Sequence, residues 1–464
     1  MDLDHAPTRR ALAVAGAIDQ GLVTTDQRPV AGLLDVRSIR EAARALRAAF
    51  AEQAAPRQHI LHTFAVKAGS LVPVLRLLAE EGLGCEAASP GELALARAAG
   101  VRPEHTVLDS PAKTRAELRE ALALGIALNA DNAQELARLD TLVASAPTRS
   151  PLGLRVNPQI GGGAIGAMST ATDTSKFGFP LRDPGARAAV VRAFVDRPWL
   201  TRLHAHVGSQ GCPLELMAQG VRETYELAEE INRAVGAPRV DTLDLGGGLP
   251  VNFGSDEVTP TFQEYARLLA RTVPGLFDGR YALVTEFGRS LLAKAGLVLA
   301  RVEYVKSAGG RPIALTHAGA QLAVRTVFAP GSWPLRVAPY GPDGEAKSGP
   351  ATAWDVAGPC CFAGDLVATG HPLPALDEGD YVGLLDTGAY YFSTPFGYNS
   401  LPRPGVYGFT VEQHGGRSEV RFATVREPQG LDSIVAESGG AARDALLHRP
   451  APDGPDPEDP APRP

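Results

Sequence analysis

The sequence predicts an α/β fold in which a (β/α)8 barrel is followed by a second, all-β domain. From residue 59 to residue 288, short runs of β-forming residues alternate with amphipathic segments rich in Ala, Leu, Glu and Arg. Eight alternations over about 230 residues suit such a barrel, which typically needs about 250. An open doubly wound sheet is the alternative, but it usually carries fewer strands. The predicted strands are residues 59–67, 84–89, 105–110, 126–130, 152–157, 202–208, 242–248 and 282–288.

After the barrel the sequence changes character, because Val, Gly, Pro and Tyr become frequent and apolar residues alternate with polar ones. This alternation predicts a β-sandwich or β-barrel domain. We therefore predict a barrel over residues 35–290 and a β domain built from residues 11–34 and 291–430. Residues 331–352 are rich in Pro and Gly and predict a loop. The Pro- and Asp-rich end of the chain predicts a disordered tail over residues 437–464.

Composition excludes several classes of partner and compartment. The 464-residue chain has a formal net charge of −7, which argues against nucleic acid or an anionic membrane as its main partner. No apolar run reaches the roughly 18 residues of a membrane span, and the apolar stretch 11–18 lacks a secretory cleavage site. None of the four cysteines forms a metal-type CxxC pair, and the adjacent Cys360 and Cys361 do not suit a structural disulfide. We therefore predict a reducing, cytoplasmic location and no metal site.

Lys67 is the most informative single residue. It stands at the end of a predicted buried strand, where a lysine is costly unless it is paired or chemically used. A desolvated lysine can form a Schiff base with a carbonyl, and pyridoxal 5'-phosphate (PLP) is the common cofactor partner. Taken without the other motifs, Lys67 could instead be a surface lysine whose methylene groups are buried and whose ammonium reaches solvent. The carboxyl ends of barrel strands are where chemistry occurs, and His206, the glycine run and Glu286 fall there as well.

Three elements predict a phosphate site at these strand ends. Gly246, Gly247 and Gly248 follow a strand, and glycines let backbone N–H groups approach a phosphate closely. Ser209 could add a hydroxyl and Arg289 a countercharge. A lone glycine run would predict only a tight turn, so the coincidence of three elements carries the inference.

Other candidates remain open from pattern alone. Glu286 could keep a pyridine nitrogen protonated, or it could cap a helix or form a structural ion pair. His206 could stack on a flat ring, but His204 points to the same face of the strand and pattern does not rank the two. Cys361 could donate a proton or be a small buried apolar residue. The aromatic runs 388–392 and 396–400 could be β-domain core or the wall of a ligand pocket.

Seven motifs, in order, make the chain resemble the fold-type III PLP-dependent decarboxylases, and within them the diaminopimelate decarboxylase branch. The resemblance runs from about residue 35 to 425 and includes the cofactor-lysine motif and a His-x-His-Val-Gly-Ser-Gln segment. It departs at Gly69, where asparagine is usual, and at Phe287, where proline is usual. The motifs are residues 64–68 (Phe-Ala-Val-Lys-Ala), 89–93 (Ser-Pro-Gly-Glu-Leu), 175–178 (Ser-Lys-Phe-Gly), 204–210 (His-Ala-His-Val-Gly-Ser-Gln), 245–248 (Leu-Gly-Gly-Gly), 286–289 (Glu-Phe-Gly-Arg) and 398–400 (Tyr-Asn-Ser).

This resemblance implies roles for individual residues. It assigns ring stacking to His206, the pyridine nitrogen to Glu286 and contact with both cofactor and substrate to Tyr398. It also implies a homodimer with composite active sites, in which Cys361 reaches the partner's site and protonates the substrate Cα as general acid. The residues that the resemblance assigns to PLP are Lys67, His206, Ser209, Gly246, Gly247, Gly248, Glu286, Gly288, Arg289 and Tyr398.

The substrate half of the resemblance is altered. Phe362 stands where diaminopimelate decarboxylases carry a glutamate that holds the distal, amino-bearing end of the substrate. Arg325 is retained from an Arg-Pro-Ala-Leu-Tyr segment, whereas Ala329 replaces its substrate-binding tyrosine. Phenylalanine cannot accept a hydrogen bond or offset an ammonium, so specificity should differ. The residues predicted to bind substrate are Arg289, Arg325, Phe362, Asp365 and Tyr398.

The sequence thus predicts a PLP-dependent amino-acid decarboxylase whose substrate ends in a carboxylate or an acyl-type group, as in a siderophore-type biosynthetic pathway. One alternative is meso-diaminopimelate decarboxylation itself, with the distal amine held by another group. A second is a fold-type III racemase, which needs two opposed acid–base groups and usually lacks the Cys-x-x-x-Asp segment of Cys361 and Asp365. A third is a non-catalytic relative, which retention of Lys67, His206 and Glu286 argues against.

Overall fold

The computed structural model describes residues 3–24 and 27–447. Its first domain is a closed barrel of eight parallel strands in which each strand pairs with its predecessor and the last pairs with the first, for example Leu283 with Ile60. The predicted (β/α)8 barrel is confirmed. The barrel strands are Ile60–Ala65, Gly84–Ala87, Thr106–Leu108, Ala127–Ala130, Leu152–Asn157, Leu200–His204, Thr242–Asp244 and Ala282–Phe287, and a two-residue strand, Phe179–Pro180, pairs with the fifth.

Six of the eight barrel strands end earlier than predicted, and in three of them the early end releases a functional segment into a loop. The first ends at Ala65, so Lys67 lies in the 3-10 turn Val66–Ala68. The sixth and seventh end at His204 and Asp244. Gly246 then takes a φ of 66° and Gly248 a φ of 93°, values in the left-handed region that an extended strand does not adopt. Side chains at the carboxyl ends of the barrel therefore sit on short loops held by rigid strands.

Eight helices surround the barrel, and seven of them follow a strand. The eighth helix, Val36–Gln53, precedes the first strand and packs beside the helix Phe262–Thr272. Asp35 caps this helix by accepting the N–H groups of Arg37 and Ser38, and the buried Arg9 donates to the same carboxylate at 2.8 Å. The other barrel helices are Val72–Glu80, Pro90–Ala98, Arg115–Leu124, Ala133–Ser145, Ala186–Asp196, Leu214–Val235 and Phe262–Thr272.

The second domain is a mixed sheet with nine strands, and its strand Val30–Asp35 joins Gly296–Ala308 to Val406–His414. It confirms a separate β domain after the barrel. A helix Ala320–Phe328 packs on it, and a short helix Leu431–Glu437 with no buried residue follows its last strand. The nine strands are Val30–Asp35, Gly296–Ala308, Arg311–Thr316, Val337–Tyr340, Thr352–Ala357, Leu366–Leu373, Tyr381–Leu385, Val406–His414 and Arg417–Arg426.

The sequence pattern missed two elements of this domain. Residues 331–352, predicted as a loop, contain the strand Val337–Tyr340, whose Pro339 does not prevent pairing with Tyr381–Leu385. An initial helix, Ala6–Asp19, packs its apolar face against the sheet. Of the predicted tail, residues 437–447 include a 3-10 turn at Gly440–Ala442, and the remainder lies outside the described residues.

The two domains meet at the mouth of the barrel. The N–H of Tyr390 donates to the carbonyl of Ala68 at 2.7 Å, and the hydroxyl of Ser393 donates to the carbonyl of Lys67 at 2.8 Å. A segment of the β domain therefore fixes the turn that carries Lys67. Across the described ranges, no helix is both long and apolar enough to cross a membrane.

Candidate active site

Lys67 is paired at the mouth of the barrel. Its ammonium contacts the carboxylate of Glu86, a residue of the second barrel strand. Glu86 is 2% exposed, whereas the Lys67 side chain is 43% exposed. Burial lowers the pKa of Lys67, but Glu86, Tyr390 and Glu286 raise it more, so the pKa lies above the ordinary lysine value. The lysine is therefore charged at neutral pH, and the Glu86 carboxylate in contact with it can accept the proton that it must lose before acting as a nucleophile.

Glu286 ends the eighth strand and is 4% exposed. Its Oε2 lies 3.4 Å from Nε2 of His204, and Nδ1 of His204 lies 2.6 Å from Oδ2 of Asp109. Burial and the nearby Asp244 raise the pKa of Glu286, while His204 lowers it. Its second oxygen, Oε1, is buried and has no hydrogen-bond partner within the described part of the chain. The site thus holds a carboxylate with one oxygen available to a donor.

His206 and the glycine run form a compact cradle. The N–H of Gly247 donates to Nδ1 of His206 at 3.1 Å. Burial, Arg155 and Lys67 hold the pKa of His206 well below its usual value, so the ring is neutral and that nitrogen can accept. A Cβ at Gly248 would stand 1.8 Å from the carbonyl oxygen of Gly208, so only glycine allows these loops to approach so closely.

Two arginines with unsatisfied donors share the same two aromatic neighbours, Trp333 and Tyr390. The guanidinium of Arg289 lies 4.6 Å from the ring of Trp333 and 4.4 Å from that of Tyr390, and Arg325 lies 5.1 Å and 4.5 Å from the same rings. Nε and Nη2 of Arg289 and Nη1 of Arg325 are buried without a hydrogen-bond partner among the described residues. Burial and the nearby Arg325 lower the pKa of Arg289 to about 10, while Tyr390 opposes the shift. Buried unpaired guanidinium groups of like charge favour the binding of an anion.

Cys361 lies on the β domain in an exposed loop, whereas its neighbour Cys360 is buried. Burial raises the pKa of Cys360 to about 11, so that thiol is not reactive. The N–H of Cys361 donates to Oδ1 of Asn399 at 2.8 Å, and the Tyr398 hydroxyl lies 3.4 Å from the Cys361 carbonyl. The backbone of Cys361 is thus held by Asn399 and Tyr398 while the residue remains exposed.

Phe362 belongs to a partly exposed cluster of four aromatic rings, which we call the aromatic cluster. Its ring stacks on Phe328 with centroids 5.6 Å apart and meets Tyr398 edge-on at 5.6 Å. Phe328 is 60% exposed and Tyr398 is 41% exposed, so the cluster presents an apolar surface. The aromatic cluster consists of Phe328, Phe362, Phe396 and Tyr398.

Asp365 is buried beneath the Cys361 loop. It is 3% exposed, and its carboxylate accepts the N–H groups of Ala320 at 2.6 Å and Cys360 at 2.7 Å. Asp365 therefore anchors the loop that carries Cys361 and Phe362, and its contact with substrate stays a prediction.

Comparison with known proteins identifies the family. The model of the pyridoxal-dependent decarboxylases, pyridoxal-binding domain, matches residues 36–293. The chain belongs to this family. It is 33% identical over 393 residues to a diaminopimelate decarboxylase of Pseudomonas aeruginosa, covering 84% of this chain and 90% of that one. It is 31% identical over 384 residues to one of Methanothermobacter thermautotrophicus, covering 80% and 84%.

Solved structures of low identity share the fold of this decarboxylase. Diaminopimelate decarboxylase of Helicobacter pylori with L-lysine superposes with a TM-score of 0.76 at 24% identity, covering 90% of this chain and 98% of that one. The lysine/ornithine decarboxylase of Vibrio vulnificus with putrescine gives 0.70 at 23% identity, covering 86% and 98%. The protein is thus a fold-type III decarboxylase, a carboxy-lyase whose cofactor is PLP.

The residues of the site fit that cofactor. The unpartnered Oε1 of Glu286 suits a protonated pyridine nitrogen, and the neutral ring of His206 suits stacking. The glycine run with Ser209 and Gly288 would receive the phosphate, and Lys67 would hold the cofactor's carbonyl carbon. Arg289 and Arg325 both lie over the ring of Tyr390, which favours the predicted role of Arg289 toward substrate, while its role as phosphate countercharge stays a prediction.

Sequence reasoning missed several residues of the site. Glu86 is the penultimate residue of the second barrel strand and Asp109 directly follows the third, so examining the carboxyl ends of the strands for carboxylates would have found both. Arg155, in the fifth strand, lies 3.8 Å from Asp109 and stacks at 4.3 Å on Phe177, which explains the Ser-Lys-Phe-Gly motif. Trp333 lay in a segment predicted only as a loop and carried no signal.

Proposed function

We propose that this decarboxylase acts on an amino acid whose far end is a carboxylate or an acyl-type group rather than the amino-bearing end of diaminopimelate. The observation that carries the proposal is Phe362, whose ring lies in the aromatic cluster and offers no acceptor to a distal ammonium. The buried donors of Arg289 and Arg325, which have no partner within the described ranges, fit a distal carboxylate. A bidentate guanidinium suits a carboxylate. An ammonium facing Phe362 would lack an acceptor, which costs about 1–3 kcal/mol.

In this proposal, different residues of the chain have different roles in the reaction at the Cα of the substrate. PLP, when bound, supplies a protonated ring that accepts the electron pair left by the departing carboxylate. Lys67 would hold the cofactor until the substrate amine takes its place, and Glu86 lies in contact with the Lys67 ammonium. Glu286 keeps the ring nitrogen protonated. Cys361 delivers a proton to Cα as general acid.

We infer that the active unit is a homodimer with composite sites. The thiol of Cys361 is exposed, and the aromatic cluster beside it presents Phe328 and Tyr398 to solvent. A contiguous apolar surface on a soluble-type domain is typical of an interface. A second copy covering this surface would carry Cys361 and Phe362 to the mouth of its barrel, as in the family that the chain resembles.

Replacing Arg325 tests the anion site. Arg325→Ala should raise KM about 10- to 100-fold, because it removes a charge-assisted clamp made to the far end of the substrate. Arg325→Lys should recover part of the loss, since the charge returns without the fork. Arg97→Ala is the matched control, because that exposed arginine pairs with Glu120 at 3.2 Å between two outer helices of the barrel. Steady-state kinetics on the best substrate decide, and an unchanged KM for Arg325→Ala would contradict the proposal.

Meso-diaminopimelate decarboxylation is the second candidate. The relatives from Pseudomonas aeruginosa and Methanothermobacter thermautotrophicus carry that name, at 33% and 31% identity. Under this alternative the arginine pair would bind the distal carboxylate of diaminopimelate, and a group other than Phe362 would accept its distal amine.

A further inference from the structure

The barrel interior contains a chain of three ionisable side chains that runs from the third strand to the eighth. Asp109 follows the third strand, His204 ends the sixth and Glu286 ends the eighth, so His204 bridges carboxylates from separate parts of the barrel. The two contacts are 2.6 Å and 3.4 Å. All three residues are at most 4% exposed, and only Glu286 is assigned a contact with the cofactor.

We propose that Asp109 and His204 are positioning residues that keep Glu286 ionised and thereby hold the pyridine nitrogen of the bound cofactor in its protonated form. The inference depends on the cofactor and not on the identity of the substrate. Its chemistry is an alternation of charge: a carboxylate, an imidazolium, a second carboxylate and the pyridinium.

Glu286 needs such support because its surroundings disfavour its charge. It is buried, and Asp244 stands nearby on the seventh strand, so both effects raise its pKa. A protonated Glu286 would donate a hydrogen bond to the pyridine nitrogen and leave that nitrogen neutral. A neutral ring is a weaker acceptor of the electron pair. The His204 cation opposes this rise without cancelling it, since the pKa of Glu286 stays at about 8.

His204 can be that cation only because Asp109 lies behind it. Burial alone would lower the pKa of His204, but Asp109, Glu286 and Asp244 raise it to about 10. Burial likewise raises the pKa of Asp109, but His204 and Arg155 outweigh burial and lower it. Arg202 lies 3.1 Å from Asp244 and partly offsets that charge. The charged and titratable groups around the three are Lys67, Glu86, Lys113, Arg155, Arg202, His206 and Asp244.

The alternative is that His204 merely fills the core. In that case a neutral side chain of similar size would serve equally well at the cofactor. His62 provides the matched comparison, because it is also a buried barrel histidine, 6% exposed, and its Nδ1 lies 2.8 Å from the Thr285 hydroxyl. It has no contact with the Asp109–His204–Glu286 chain in the described structure.

The test uses holoenzyme loaded with PLP labelled with ¹⁵N in the ring. The ¹⁵N chemical shift of the pyridine nitrogen is followed from pH 6 to pH 10, without substrate. Wild type should remain protonated through pH 8. His204→Gln and Asp109→Asn should lower the apparent pKa of the ring nitrogen by roughly 1–3 units, the usual effect of losing a neighbouring charge. His62→Gln should match wild type.

Two further readouts separate positioning from packing. Asp109→Glu keeps the charge and should restore the signal that Asp109→Asn loses. In His204→Gln, kcat should fall about 10- to 100-fold with little change in KM, because substrate contacts are retained. A ring nitrogen that stays protonated in both neutral variants overturns the proposal.

If neither His204→Gln nor Asp109→Asn folds, the wild-type holoenzyme alone still tests the proposal. A pyridine nitrogen that is neutral at pH 8 in wild type would overturn the proposal. None of these spectra requires a substrate. Failure here therefore leaves the substrate proposal standing, and failure of the substrate proposal leaves this one standing.

Discussion

Lys67→Ala should abolish decarboxylation, lowering kcat/KM by at least about 10⁴-fold, the upper range for a single acid–base or nucleophilic group. The expected loss is large because the same amine both retains the cofactor and exchanges it with substrate. Its position is fixed from two sides, by Glu86 below and by the Ser393 bond to its own carbonyl. The measurement is carbon dioxide release, together with the visible absorbance of the lysine-bound cofactor.

Borohydride reduction followed by peptide mapping locates the attachment directly. The label should fall on Lys67 and disappear in Lys67→Ala. Lys306→Ala serves as the control, since that lysine is exposed on a strand of the β domain. A label on another lysine, or wild-type turnover by Lys67→Ala, would refute the assignment.

Cys361→Ala should reduce kcat by about 10²- to 10⁴-fold, because a general acid is lost at Cα. Mixing it with Lys67→Ala should restore activity if each site combines Lys67 of one protomer with Cys361 of the other. Random exchange in a twofold dimer produces one half mixed dimers, each with one intact site, so about one quarter of wild-type activity is expected.

Each variant mixed with itself is the control and should stay inactive. Sedimentation should show a dimer for wild type and for both variants. Cys360→Ala should leave the rate near wild type, because the Cys360 thiol is buried. A fully active monomer, or a mixture that gains no activity after subunit exchange, would exclude composite sites.

The architecture was predictable because its signals are local. A buried parallel strand needs a short apolar run, and a barrel repeats that run at nearly constant spacing, so all eight strands were visible. The carboxyl-end rule then placed Lys67, His206, the glycine run and Glu286 together, and the structure gathers them at one mouth. Strand ends were less predictable, because the positive φ of Gly246 and Gly248 depends on how neighbouring loops pack.

What escaped prediction depends on contacts between distant segments. The pairing of His204 with Asp109 joins residues far apart in sequence, and no local pattern distinguishes it from an ordinary core histidine. Trp333 meets Arg289 and Arg325 only after the β domain folds over the barrel. The burial of Asp365 and the bonds of its carboxylate to backbone N–H groups were likewise not visible in the sequence.

The most direct test of the substrate account is decarboxylation of meso-diaminopimelate by wild type and by Phe362→Glu, beside a panel that includes citrate- and acyl-linked diamino acids. Wild type should prefer a panel member with a distal carboxylate or acyl group and process meso-diaminopimelate poorly. Phe362→Glu should improve the latter, since it returns an acceptor for the distal ammonium. If wild type decarboxylates meso-diaminopimelate with a kcat/KM of about 10⁴ M⁻¹s⁻¹ or more, the ordinary enzyme range, the proposed substrate class is wrong.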